Sequence, residues 1–191
     1  MRKLKTVLAI LAVVLIASCK KDTESCEDIV CEENTTCVGG TCVCIEGYEG
    51  EGCATESREK FNGTWQGTDT CDITFPGNDQ FSTTEIITYE LMISDSVGNH
   101  FYVNMQIADE GGAGYSLYGT THLNKLTIPS QFQTITLSDL PADIVGTVSG
   151  SGTMNADQNS IALNLSVIGN VPIPNFGEVP ANCECRGVLT K

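Results

Sequence analysis

The chain reads as a mostly β protein: a small disulfide-rich module followed by an antiparallel barrel, with a sandwich as the alternative arrangement. Three observations carry that reading. Ten cysteines fall in 191 residues, and six of them lie between positions 26 and 53. Beyond Phe61, Thr, Ser, Ile, Val, Gly and Asn dominate, the composition of strands and turns. Apolar and polar residues then alternate at period two in several runs separated by turn clusters, with no helix-period stretch after the N-terminal segment.

The N-terminal segment opens the order of elements. Arg2, Lys3 and Lys5 precede an unbroken apolar run from Val7 to Ala17. The run falls short of the ~20 apolar residues of a membrane span and has the flanks of a cleaved export signal. Leu15-Ile16-Ala17-Ser18-Cys19 resembles the lipobox of bacterial lipoproteins. The resemblance implies cleavage after Ser18, removal of residues 1–18, and acylation of Cys19, with residues 19–25 as a lipidated tether. Two or more acyl chains hold a protein stably at a bilayer, each buried methylene contributing about 0.8 kcal/mol. Lys20-Lys21-Asp22-Thr23-Glu24 resembles the surface-display signal of some Gram-negative bacteria. The implied location is the outer membrane, at the cell surface, with the periplasmic face as the alternative.

Cys26, Cys31, Cys37, Cys42, Cys44 and Cys53 come next. An exported, oxidising setting favours disulfides over zinc thiolates. Six cysteines alone admit fifteen pairings. The single residue between Cys42 and Cys44, and the run Gly47-Tyr48-Glu49-Gly50 before Cys53, resemble an EGF-like domain over residues 26–54. That resemblance implies the pairs Cys26–Cys37, Cys31–Cys42 and Cys44–Cys53. The calcium-binding variety of that family is not matched: Ser25 interrupts the acids before Cys26, and Val38–Thr41 offers no carboxylate or amide.

Residues 55–60 are polar and read as a linker. The β domain is expected over 61–191. Residues 89–93 and 101–107 alternate around the turn cluster Asp95-Ser96-Val97-Gly98-Asn99, one hairpin; 144–150 and 161–168 alternate around Asn155-Ala156-Asp157-Gln158-Asn159, a second. Further strands are expected at 64–73, 115–120, 123–128, 132–137 and 183–190, about nine in all, which suits a closed barrel or a sandwich. Gly63-Thr64-Trp65 resembles the Gly-x-Trp opening of lipocalin-like barrels, where the tryptophan packs across one barrel end. Cys71 lies in an early strand and Cys183 and Cys185 in the last; a bridge from Cys71 to either closes a loop of more than 100 residues, worth up to ~4.7 kcal/mol in the chain-entropy picture.

The charge narrows function. There are 24 acidic and 10 basic residues; without Arg2, Lys3 and Lys5 the balance is 7 against 24, or −17. Nucleic acid is excluded as a partner, because phosphate contacts need clustered Lys and Arg. His100 and His122 are the only histidines, and neither has a serine or cysteine at a catalytic spacing. The acids are scattered, Asp109-Glu110-Gly111-Gly112 reads as a solvated loop, and Asp95-Ser96-Val97 resembles a short O-glycosylation motif. No catalytic residue, cofactor or metal site is expected. The expected function is a non-catalytic binding or interaction module anchored through its lipid, with a protein, glycan or small apolar ligand as partner; the alternative is a lipocalin-like carrier of an apolar ligand.

Overall fold

The computed structural model describes residues 26–77, 80, 82–97, 102–109, 114–135, 143–173, 175 and 177–191. The signal segment 1–18, Cys19, the tether to residue 25, His100 and loop residues 110–112 lie outside the described residues. The chain divides into two compact units, with the boundary between Val43 and Cys44, inside the six-cysteine segment.

The first unit is held by two bridges, Cys26–Cys37 and Cys31–Cys42. Strands β1 (Thr35–Val38) and β2 (Thr41–Cys44) form its hairpin. The turn between them is Gly39-Gly40, with φ of 57° and 80°. A two-residue hairpin turn of type I′ needs positive φ at both positions, which glycine adopts without steric cost. Few side chains are buried here, so covalent links replace a core.

The second unit starts with the Cys44–Cys53 bridge and a small sheet of β3 (Tyr48–Glu49) and β4 (Thr55–Glu56). Residues 55–60, expected as a linker, are packed instead. Ser57 is fully buried; its N–H donates to the Gly47 carbonyl at 2.7 Å, and its Oγ accepts from Leu123 N–H at 3.1 Å. Arg58 bonds Glu56 at 2.6 Å and the Ser96 carbonyl at 3.0 Å, and Lys60 bonds Glu49 at 2.6 Å. A polar run resembles a linker in composition, but these side chains satisfy the backbone groups of barrel turns.

Eight strands then close a barrel: β5 (Gly63–Thr74), β6 (Thr83–Asp95), β7 (Tyr102–Asp109), β8 (Gly114–His122), β9 (Lys125–Ile135), β10 (Ile144–Met154), β11 (Ser160–Ile173) and β12 (Gly177–Thr190). Each is antiparallel to its sequence neighbours, and β12 returns to pair with β5, so no edge is left. Closure, not a sandwich, is the arrangement. The inward positions are apolar: Trp65 and Ile73 on β5, Leu91 and Ile93 on β6, Val103 and Met105 on β7, Ile161 and Leu163 on β11. Outward positions between them carry Gln66, Thr68, Asp72 and Glu90. This is the inverse of a lipid-facing barrel, whose apolar band points out.

Eight strands replace the expected nine because 123–128 and 132–137 belong to one strand, β9, with Leu123-Asn124 as the turn before it. Pro129 and Ser130 interrupt its alternation. The register with β10 shifts there, from Val148 opposite Gln131 to Gly150 opposite Ile128. Two residues of β9 thus face one of β10, a β-bulge, the place in a ladder where proline's missing N–H is tolerated.

Candidate functional sites inside the barrel and on its wall

Cys71 and Cys185 are direct partners in the β5–β12 register, with Cα atoms 4.0 Å apart, and they form a disulfide. Cys183, two residues earlier on β12, points to the same interior face and is a free, buried thiol. Its Sγ donates toward Cys185 Sγ at 3.4 Å, since it alone of the two carries a proton. The three sulfurs lie within 4.8 Å of one another. Burial, with lesser repulsion from Glu184, Glu85, Asp72 and Asp69, pushes the Cys183 thiol up to about 12. It is therefore a neutral, unreactive thiol at physiological pH. Two of the three sulfurs are spent in the bridge, so the cluster offers no thiolate set to a metal.

One turn of the alternation deeper lies a buried acid. Asp69 is 2% exposed, and its Oδ2 accepts from the Tyr89 hydroxyl at 3.0 Å. Its Oδ1 has no hydrogen-bond partner. The carboxyl fits because its neighbours across the ladder are glycines. A Cβ at Gly187 would sit 2.0 Å from Oδ1, and one at Gly67 would sit 2.5 Å from the Tyr89 ring. Burial raises the Asp69 pKa, and the Tyr89 hydrogen bond lowers it by less. Tyr89 is itself raised, by burial first and then by the charge of Asp69. Burial in the apolar core thus shifts both groups toward their protonated forms. Sequence reasoning passed over Asp69, although its parity with Trp65, Cys71 and Ile73 on an alternating strand was the signal that it points inward.

The lower end is closed by aromatic packing. Trp65 is fully buried, its indole N–H donates to the Phe61 carbonyl at 2.7 Å, and Lys191 Nζ sits 4.5 Å from its ring centroid.

A third site lies on the outer wall. Backbone pairing of β8 with β9 covers Thr120–His122 against Lys125–Thr127. Further along, the bulge at Pro129 turns Gln131 into the seam. Gln131 Oε1 accepts from Tyr118 N–H at 2.9 Å, and its Nε2 donates to the carbonyls of Tyr118 at 2.7 Å and Pro129 at 3.2 Å. A side-chain amide here substitutes for a paired backbone amide. Gln133 Nε2 donates to the Ser116 carbonyl at 2.9 Å in the same manner. The splayed seam leaves an open groove of ≈ 560 Å³ floored by Leu117 and Gln131. Tyr118 and Phe132 flank it and are 46% and 72% exposed. Asn104, Ser116, Ser130 and Gln133 complete it, so none of its lining residues carries a charge. Sequence reasoning missed this groove; the gap between the strand candidates at 123–128 and 132–137 was its trace.

The remaining candidates are not brought together. His122 is exposed at the β8–β9 turn opposite Lys125. Asp95 accepts from Asn62 at 2.6 Å and lies 3.5 Å from Arg58, while Val97 beside it is fully exposed. Among the described residues, no helix is long and apolar enough to cross a membrane.

No family model matches the chain, and no curated protein matches it. Among solved structures, a redesigned β-barrel is similar at TM-score 0.40 and 10% identity, over 71% of this chain and 94% of that one.

Proposed function

We propose that this chain is a lipid-anchored outer-membrane protein displayed at the cell surface, in which an EGF-like module precedes a lipocalin-like barrel that binds through its outer wall and catalyses nothing. The observation that carries the reading is the filling of the barrel. Trp65, Ile73, Val103, Leu126, Val148, Ile161 and Leu189 are fully buried at inward positions of six of the eight strands. A void large enough for a ligand leaves its lining accessible to a water-sized sphere, and these side chains have no such surface. Room for a partner lies outside, at the β8–β9 groove.

The module assignments have their own support. The six N-terminal cysteines pair first with third, second with fourth and fifth with sixth, the pattern of the EGF-like family. Gly63-Thr64-Trp65 opens the first barrel strand and Trp65 packs across one end, as in lipocalin-like barrels.

The test measures uptake and turnover on the full chain. Titration with a fluorescent fatty acid and with retinol should give no saturable one-to-one binding. A panel of esters, peptides and glycosides should show no turnover that depends on His122 or on Asp69. Saturable uptake would establish the carrier reading, and turnover abolished by one such substitution would establish an enzyme.

A further inference from the structure

We infer that the groove between β8 and β9 is a subsite for a neutral carbohydrate, a short stretch of uncharged hexose units packed on Tyr118 and Phe132. The inference rests on the outer-wall reading above and adds the ligand class. Four observations point to it. Two aromatic side chains from neighbouring strands, Tyr118 on β8 and Phe132 on β9, line one groove and remain exposed. A ring with an apolar face and an aromatic side chain bury surface together at small conformational cost, because Phe and Tyr have two rotatable bonds.

The polar lining supplies the second observation. Gln133 commits its amino group to Ser116 and Asn104 donates to the Asp95 carbonyl at 3.3 Å. Their amide oxygens are left as acceptors, and the Ser116 and Ser130 hydroxyls serve as donor or acceptor. Hydroxyl-rich ligands need that mixture. An aliphatic ligand would leave these groups unpaired at a cost.

The third is electrostatic. The groove is uncharged on a chain with 24 acids and 10 bases. The surrounding field disfavours anionic glycans, and the groove provides no carboxylate to hold a cation. The fourth is rigidity. The Gln131 side chain in the floor is held by three hydrogen bonds to the Tyr118 and Pro129 backbone, so its own ordering costs nothing on binding.

The experiment uses isotope-labelled full chain in zwitterionic micelles, followed by amide NMR. Probes are maltohexaose, cellohexaose and mannohexaose, with polygalacturonate and heparin as anionic comparators. At least one neutral hexasaccharide should shift the amides of Tyr118, Gln131, Phe132 and Gln133, and the anionic comparators should not. Phe132→Ala should weaken binding about tenfold or more, as loss of an aromatic anchor does. Ile86→Ala, which removes an exposed apolar residue on β6 away from the groove, should leave it unchanged. Spectra of each variant report folding directly. Absence of shifts with all three neutral sugars overturns the inference, as do shifts confined to other strands or an unaltered affinity of the folded Phe132→Ala chain. None of these outcomes touches the uptake and turnover result, so the ligand class and the outer-wall reading fail separately.

Discussion

Two buried side chains carry sharp consequences at the scale of single residues. Asp69 has a raised pKa through burial. The folded state therefore holds its proton to higher pH than the unfolded state does. Where the native state binds more protons, stability falls as pH rises. The stabilising share is complete below the unfolded value near 3.8 and is lost as pH climbs through the raised folded value. Asp69→Asn keeps an acceptor for Tyr89 and removes the ionisation. Its melting temperature should equal or exceed the parent's at pH 8 and lose the parent's decline between pH 4 and pH 8. A decline that persists in the variant would place the titration elsewhere. Cys183 makes a different prediction. As a buried thiol held near 12, it should resist alkylation in the native chain and react fully after unfolding without reduction. Cys183→Ala removes one sulfur and should cost roughly 1 kcal/mol as a small cavity. Cys185→Ala removes the bridge that closes a 114-residue separation and should cost about 2–4 kcal/mol. Thermal melts of the two variants, with thiol counting, decide between these roles.

At the scale of elements, the β8–β9 seam is the weak line of the wall. Beyond the short ladder of Thr120–His122 with Lys125–Thr127, backbone groups of Ser116 and Tyr118 are bonded by two glutamine side chains instead. Gln131→Leu removes the side-chain partner of the part-buried Tyr118 N–H and C=O, at about 0.5–1.5 kcal/mol for each hydrogen bond lost. Gln131→Glu keeps the acceptor for Tyr118 N–H but loses the donor to two carbonyls, so it should destabilise as well. Hydrogen exchange in both variants should accelerate along residues 114–119 before any other strand; uniform acceleration would show that the glutamine has no local role. The seam also marks what was legible in the chain. Strict alternation exposed β7, β10 and β11 because one face of each is buried and the other wet. The bulge hid the unity of β9, since Pro129-Ser130 breaks period two in a manner indistinguishable from a turn. The polar residues 55–60 misled for the complementary reason: Ser57 and Arg58 are polar because they bond to turns, and composition does not distinguish a solvated group from a satisfied one. Closure was undecidable locally, because pairing of β12 with β5 joins residues 114 positions apart, as Cys71 and Cys185 show.

At the scale of the whole molecule, the proposed membrane location raises the question of what would hold an acidic barrel there. Its inward strand faces are apolar, and its outward faces mix polar side chains with single exposed apolar residues such as Ile86, Phe132 and Ile168, so the described wall carries no continuous apolar band of the kind a lipid-facing barrel turns outward. The side-chain balance of 10 bases against 24 acids, or 7 against 24 if the signal is removed as proposed, disfavours contact with anionic lipid. On the lipoprotein proposal, attachment would come from outside the barrel, through acyl chains on Cys19. Acyl chains contribute about 0.8 kcal/mol per buried methylene, and a second chain turns marginal binding into stable anchoring. Cells grown with labelled palmitate should incorporate label into the parent chain and none into Cys19→Ala. In the same cells the parent should sediment with outer membranes, and the variant should appear in the soluble fraction with its barrel melting temperature unaltered. Protease added to intact cells should degrade the parent if it is displayed outward, and replacing Lys20 and Lys21 by Ala should reduce that accessibility if they signal display. Equal labelling of parent and variant, or retention of Cys19→Ala at the membrane, would transfer the anchoring role to the protein surface and overturn the lipoprotein reading.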